Sequence, residues 1–236
     1  EINNPLAAIL GYSHNIKNRV FGELRKNRLV AEECGISLGD VRNYLIKRDI
    51  PAMIEGIHQS GERAATIVSN MLSFSRKSEK HLGMYDLSKL LDKTLERAAN
   101  DYDLKKRYDF RKIAIERDYA PDMPPVHCEG NEIQQVFLNL LKNGAEAMAE
   151  KEYGLEVPRF FLRMYSENGM AVVEVEDNGP GMEESVRKRI MEPFFTTKEA
   201  GKGTGLGLSV SYFIIADQHG GSMDVQSEPG QWTRFT

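Results

Sequence analysis

From Leu6 to about Glu33, Ile9, Leu10, Ile16, Val20 and Leu24 recur at three- and four-residue steps with no proline among them. That spacing lays an apolar face along a helix, and Gly35 then supplies a stop. A second helical stretch, from about Asp40 and interrupted near Pro51, puts Ile54, Ile57, Ala64, Ile67, Val68, Met71, Leu72 and Phe74 on one stripe. Two long amphipathic helices joined by a turn make a hairpin, which alone has too little interior to cover both stripes. A second copy completing a four-helix bundle would cover them, so the pattern predicts a homodimer. It leaves open whether the stretch from Val20 to Asp49 lengthens both helices or adds a small helical cap.

After the charged run SRKSEKH, Ser75 to His81, the periodicity changes to short strands alternating with helices. The domain boundary is placed there, giving a helical hairpin over 1–80 and a second domain over 84–236. In the second domain the pattern predicts helices at Leu87 to Ala99 and Glu132 to Ala149, with strands near Ile113 to Arg117 and Val126 to Cys128. Arg159 to Tyr165 and Met170 to Glu176 read as a hairpin around Glu167-Asn168-Gly169, residues tolerant of positive φ. A helix at Ser209 to Gln218 and a strand pair at Ser222 to Ser227 and Trp232 to Phe235 close the chain. The expected fold is α+β, the helical hairpin being followed by an α/β sandwich with helices on one sheet face.

Over 236 residues, 41% hydrophobic and 28% charged side chains leave enough apolar mass for a packed core. A net charge of −4 gives no general attraction to nucleic acid or to an anionic membrane, so any bound anion needs a local site. Cys34 and Cys128 are far apart and read as free thiols, which suits the cytoplasm. No apolar run approaches the roughly 20 residues of a bilayer span, and no signal peptide opens the chain, so no membrane contact of its own is expected. Glu1 to Leu10 reads as a helix interior without a start signal, as if cut from a longer protein.

Chemistry concentrates between Asn139 and Leu208. In NLLKNGAEAM, Asn139 to Met148, Asn139 and Asn143 are four apart and share a helix face. Their amide oxygens suit Mg²⁺, although such a pair alone is more often a solvated face or a cap. DNGPGM, Asp177 to Met182, follows a strand. Its carboxylate can accept from an exocyclic amine while Gly179 and Gly181 permit close approach of a planar ring, or it is simply a turn. EPFFTTK, Glu192 to Lys198, joins an aromatic anchor to hydroxyls and a lysine, though on its own it could be a capped helix end. GKGTGLGL, Gly201 to Leu208, runs into a helix and offers backbone amides to an anion with Lys198 or Lys202 nearby. It fits neither the P-loop nor the Rossmann pattern. Each piece is weak alone, but the four in one order within about seventy residues describe a nucleotide site.

NLLKNGAEAM, DNGPGM, EPFFTTK and GTGLGL resemble the N, G1, F and G2 boxes of the ATP-binding domain of sensor histidine kinases, the GHKL fold of two-component signalling. The likeness covers roughly Asp86 to Thr236, and GGSMDVQSEPGQWTRFT resembles that domain's last hairpin, stopping before its usual final strand is complete. EINNPLAAILGY, Glu1 to Tyr12, resembles the phosphoacceptor box, in which a histidine immediately precedes the glutamate. IVSNMLSFSR, Ile67 to Arg76, resembles the end of the dimerisation hairpin.

The resemblance implies ATP and Mg²⁺ as cofactors, with Asp177, Gly179 and Gly181 at adenine and Asn139 and Asn143 around the metal. It also implies a lid from Glu192 to Gly205 over the phosphates, drawing contacts from Phe195, Thr196, Thr197, Lys198, Lys202, Gly203, Thr204, Gly205, Leu206 and Gly207. Glu1 would act as general base toward the preceding histidine, and Asn4 would orient a water in the reverse, phosphatase reaction. The phosphoryl group would pass onward to an aspartate of a response regulator. A chain starting at Glu1 should therefore bind nucleotide yet not label itself. His14 lacks a following acidic residue and proline, while His58, His81, His127 and His219 read as surface or capping residues. The competing readings are an ATPase of the gyrase and heat-shock chaperone type, which carries a catalytic glutamate where this chain has Asn139, and a degenerate docking module.

Overall fold

A computed structural model describes residues 2–75, 82–100, 108–199 and 203–236, without the side chains of residues 3, 66 and 69–75. Glu1, His81 and Lys202 lie outside the described residues. The chain divides between Ser75 and Arg76 into two compact units. Among the described residues no helix is long and apolar enough to cross a membrane.

The first unit contains α1 (Asn3–Phe21), α2 (Arg25–Glu33), α3 (Leu38–Lys47) and α4 (Ile50–Ser75), with α1 packed along α4. The single helix expected from Leu6 to Glu33 is therefore two. At Gly22 the backbone turns extended, and a Cβ there would lie 2.5 Å from the Asn18 carbonyl oxygen. The terminal carbonyls of α1 are then taken up by side chains. Asn27 Nδ2 donates to Asn18 and Gly22 at 2.9 Å each, Arg42 Nε donates to Val20 at 2.9 Å, and Arg42 Nη2 donates to Gly22 at 3.0 Å. These bonds satisfy orphan acceptors that water would otherwise meet. The stretch from Val20 to Asp49 is thus a helical cap. Asp49, at φ 57°, makes the corner into α4, and Pro51 sits in the first turn of α4, where a missing N–H costs nothing.

Ser13 is buried, and its hydroxyl donates to the Leu10 carbonyl and bonds to His58 Nδ1, both at 2.9 Å. His58, its side chain still partly exposed, therefore also joins α4 to α1. Ile2, at the N-cap of α1, and Ile9 and Ile16 on it, seven apart, remain 43–61% exposed in the single chain, as do Met53 and Ile57 on α4.

The second unit opens with β1 (Leu82–Tyr85), α5 (Leu87–Asn100), β2 (Ala114–Tyr119) and β3 (Val126–Glu129). It continues with α6 (Gly130–Met148), β4 (Arg159–Glu167), β5 (Met170–Asp177), α7 (Glu184–Arg187), α8 (Gly207–Phe213), β6 (Val225–Glu228) and β7 (Trp232–Phe235). The main sheet runs β2-β4-β5-β7-β6, parallel between β2 and β4 and antiparallel elsewhere. Along β4, Phe160, Leu162 and Met164 alternate into the core, where Leu91 and Leu95 of α5 and Phe137, Leu140 and Leu141 of α6 are also buried. Charged pairs occupy the alternate positions, Arg159 with Glu116 and Arg163 with Asp118, each at 3.1 Å. The result is the expected α+β sandwich with its two long helices on one face.

Two local expectations change. β1, unforeseen, pairs antiparallel with β3. α8 starts two residues earlier than expected, at Gly207, and gives way to a π-turn over Ile214–Gln218. His219 caps that turn, one of the two roles expected for it: its Nδ1 bonds to the Ile214 carbonyl at 2.7 Å and its Nε2 accepts the Glu129 amide at 3.0 Å, so it also fastens α8 to the start of α6.

Candidate functional site

α6 is the spine of the site. Asn139, Asn143 and Glu146 fall at i, i+4 and i+7 and so share one face. Asn139 Nδ2 donates to the Gly207 carbonyl and to Ser211 Oγ, both at 3.2 Å, joining α6 to the first turn of α8. With its NH₂ used there, its Oδ1 is the atom left for a hard cation, which fits the metal reading. Asn143 is half-buried one turn on.

Asp177 ends β5 with only 6% of its surface exposed. Burial pushes its carboxyl up to about 7, opposed by the Gly179 amide, which donates to Oδ1 at 2.9 Å, and by the charge of Lys151. Room beside it comes from Gly144 on α6, where a Cβ would lie 2.5 Å from Phe160 Cε1 and 3.2 Å from Asp177 Oδ2. Gly179 could not carry a Cβ either, since it would fall 2.6 Å from Asp177 Oδ1. Gly181 has φ 63°, and its Cβ would meet the Glu228 carbonyl oxygen at 2.1 Å. That glycine serves the packing of the loop on the turn between β6 and β7. Asn178 is spent internally, accepting the Arg159 amide at 2.8 Å and donating to the Val157 carbonyl at 2.9 Å.

The segment after α7 is tied to the glycine turn. Phe194, at φ 67° and exposed, donates its amide to the Gly205 carbonyl at 2.9 Å. Phe195 is half-buried beneath the Arg189 guanidinium, 4.4 Å from its ring centre. Gly205, at φ 65°, packs so close that a Cβ would be 2.4 Å from the Phe194 carbonyl carbon, and one on Gly203 would be 2.6 Å from Thr196 Oγ1. Thr204 Oγ1 accepts the Leu206 amide at 3.4 Å, and the Leu206 side chain is buried in the core, so any part it plays toward a ligand runs through its backbone. Thr197 is exposed. Lys198 pairs with Glu146 of α6.

Thus α6 meets α8 through Asn139, the end of β5 at Asp177 through Gly144, and the segment after α7 through Glu146. Asn4 is exposed in the first turn of α1, in the helical unit. Sequence reasoning overlooked Gly144, Glu146, Ser211 and Lys151. A glycine inside an otherwise strong helix was the available sign of Gly144. Ser211, buried four residues after Gly207, and Glu146, three after Asn143, could have been found from helical spacing alone.

A family model described as histidine kinase-, DNA gyrase B-, and HSP90-like ATPase matches residues 128–236. Sensor kinase CckA of Brucella abortus is 36% identical over 191 residues, covering 77% of this chain and 19% of that protein. The sensory histidine kinase/phosphatase NtrB of Vibrio alginolyticus is 30% identical over 222 residues, covering 89% of this chain and 60% of that protein. The chain thus spans about a fifth to three fifths of the length of these curated relatives. Among solved structures, full-length ShkA in complex with AMPPNP shares the fold over 100% of this chain and 42% of its own, with a TM-score of 0.68 at 21% identity. The catalytic domain of the histidine kinase ThkA covers 66% of this chain and 95% of its own, with a TM-score of 0.52 at 27% identity. Motifs, fold and relatives agree: residues 128–236 belong to the histidine kinase-, DNA gyrase B-, and HSP90-like ATPase family, and the chain is similar to sensor histidine kinases over most of its length.

Proposed function

We propose that this chain binds Mg-ATP along α6 and is the kinase core of a cytoplasmic or membrane-attached sensor. In that role it directs the γ-phosphoryl group to a histidine immediately before Glu1 and from there to an aspartate of a response regulator. The observation that carries the reading is the meeting of the three motif segments on α6, through Asn139, Gly144 and Glu146. ATP bound there would supply the phosphoryl group. Asp177 Oδ2 would accept from the adenine amine, and Gly179 and Gly181 would shape the loop beneath the ring. The amide oxygens of Asn139 and Asn143 would hold Mg²⁺. Amides from Gly203 to Gly207, the hydroxyls of Thr196, Thr197 and Thr204, and Lys198 and Lys202 would neutralise phosphate, while Phe195 anchors their segment.

Rate enhancement in such a site comes from positioning and charge neutralisation. Glu1 would take the proton of the acceptor imidazole, and Asn4 would hold water in the reverse reaction. A homodimer would cover the exposed stripe of Ile2, Ile9 and Ile16. The gyrase-type alternative needs a carboxylate at position 139, where this chain commits an amide to Gly207 and Ser211.

The test is to extend the chain by one histidine before Glu1 and incubate it with Mg-ATP. Acid-labile phosphate on that histidine, passed on to a receiver-domain aspartate, is expected. A properly folded, nucleotide-bound chain that stays unlabelled, or is labelled only with acid-stable phosphate, contradicts the proposal.

A further inference from the structure

Lys151 lies three residues beyond α6, and its ammonium donates to three backbone carbonyls: Asn178 at 2.9 Å, Gly179 at 3.1 Å and Gln231 at 3.3 Å. The Tyr153 ring covers another side of Nζ, its centre 5.5 Å away. An ammonium has three N–H donors, and here all three are matched. Two of the carbonyls belong to the loop that follows Asp177, and the third to the turn between β6 and β7. The same two segments are joined by the Gly230 amide donating to the Pro180 carbonyl at 2.6 Å, and by Gly181, whose Cβ would strike Glu228.

Fixing those carbonyls fixes the peptide planes between them, including the Gly179 amide that donates to Asp177 Oδ1 at 2.9 Å. Without the ammonium, the Asn178 carbonyl would keep the Tyr153 hydroxyl, which donates to it at 3.0 Å, but the Gly179 and Gln231 carbonyls would lose the donor that joins them, and the two segments could keep their course only by admitting water.

We infer that Lys151 is a positioning residue for nucleotide recognition: it clamps the Asn178 and Gly179 carbonyls to the turn between β6 and β7, so that the Gly179 amide holds one oxygen of Asp177 and leaves the other for an exocyclic amine. This rests on the nucleotide reading of the site. Lys151 touches no ligand in that scheme, and it acts through the loop backbone and through its charge.

Mg-ATP titrations of wild type, Lys151→Met, Lys151→Arg and Asp177→Asn across about pH 6 to about pH 8 test it. In wild type, affinity should fall as the pH drops through the titration of Asp177. Loosening the Gly179 bond and removing the positive charge both disfavour the carboxylate, so in Lys151→Met that midpoint should move to higher pH and affinity at neutral pH should fall about tenfold. Lys151→Arg keeps charge and donors and should recover most of both effects. A general loosening of the fold would lower the unfolding temperature but would not move the midpoint. An unmoved midpoint in Lys151→Met overturns the inference, as does an arginine variant no better than methionine. Binding that is lost in Asp177→Asn but unchanged in Lys151→Met sinks this inference alone, whereas a wild type that binds no Mg-ATP sinks the nucleotide reading and this inference with it.

Discussion

With so little of its surface exposed and its carboxyl near a pKa of about 7, Asp177 destabilises the nucleotide-free chain whenever it is ionised. Its folded pKa lies above the ordinary value of about 3.9. The native state therefore holds the proton longer than the unfolded chain, and the cost is absent below about pH 4 and grows until about pH 7. Asparagine can accept the Gly179 amide without charge. Asp177→Asn should accordingly raise the unfolding temperature at pH 8, change little near pH 4, and lower Mg-ATP affinity at least tenfold, as thermal melts and titrations would show. A variant less stable than wild type at pH 8 would contradict this balance. Gly144→Ala should cost about 1–3 kcal/mol in urea unfolding through its collision with Phe160, and should weaken nucleotide binding by crowding Asp177. Asp177 was legible as an acid at a strand end, whereas its burial depends on Gly144, 33 positions earlier, and on Phe160 across the sheet. Lys151 was invisible for the same reason, since its carbonyl partners are 27 to 80 positions away.

Among the elements, α5 shows how local chemistry sets a boundary. Asp86 Oδ1 accepts the Ser88 amide at 3.1 Å, the Ser88 hydroxyl at 2.6 Å and the Lys89 amide at 3.3 Å; the Ser88 hydroxyl, the Lys89 ammonium 3.0 Å from Oδ2 and the Lys89 amide hold its carboxyl down to about 2. Because its folded pKa is depressed, the cap contributes fully above the ordinary carboxylate range, and the contribution is lost as pH falls toward about 2. Asp86→Ala should cost about 1 kcal/mol at neutral pH and progressively less below pH ~4, read from denaturant midpoints. A pH-independent difference would contradict the cap. Strong periodicity made α6 and the hairpin of β4 and β5 readable, the turn carrying positive φ at Asn168 and Gly169 as expected. The break at Gly22 was not readable, because apolar spacing continues from Val20 to Leu24 and the caps that end α1 come from Asn27 and Arg42. β1 escaped because LGMY is short, contains glycine and finds its partner only at β3.

For the whole molecule, the uncovered row of Ile2, Ile9 and Ile16 is an apolar seam of heptad spacing, which a second copy would bury. Ile9→Glu combined with Ile16→Glu should shift the chain to a monomer in sedimentation velocity while leaving Mg-ATP affinity unchanged, since the site's segments all lie in the other unit. Retained dimers would place the interface elsewhere. The order of four motifs was enough to nominate the site's residues, but α6 as the element their segments meet emerged only from contacts that link Asn139 to Gly207 and Glu146 to Lys198. Convergence of those segments on one nucleotide is tested most directly by amide hydrogen exchange with and without Mg-ATP. Protection rising together in Asn139–Gly144, Asp177–Gly181, Phe194–Lys198 and Gly203–Gly207 is the expected result, and saturable binding that protects only one of these segments, or none, would contradict it.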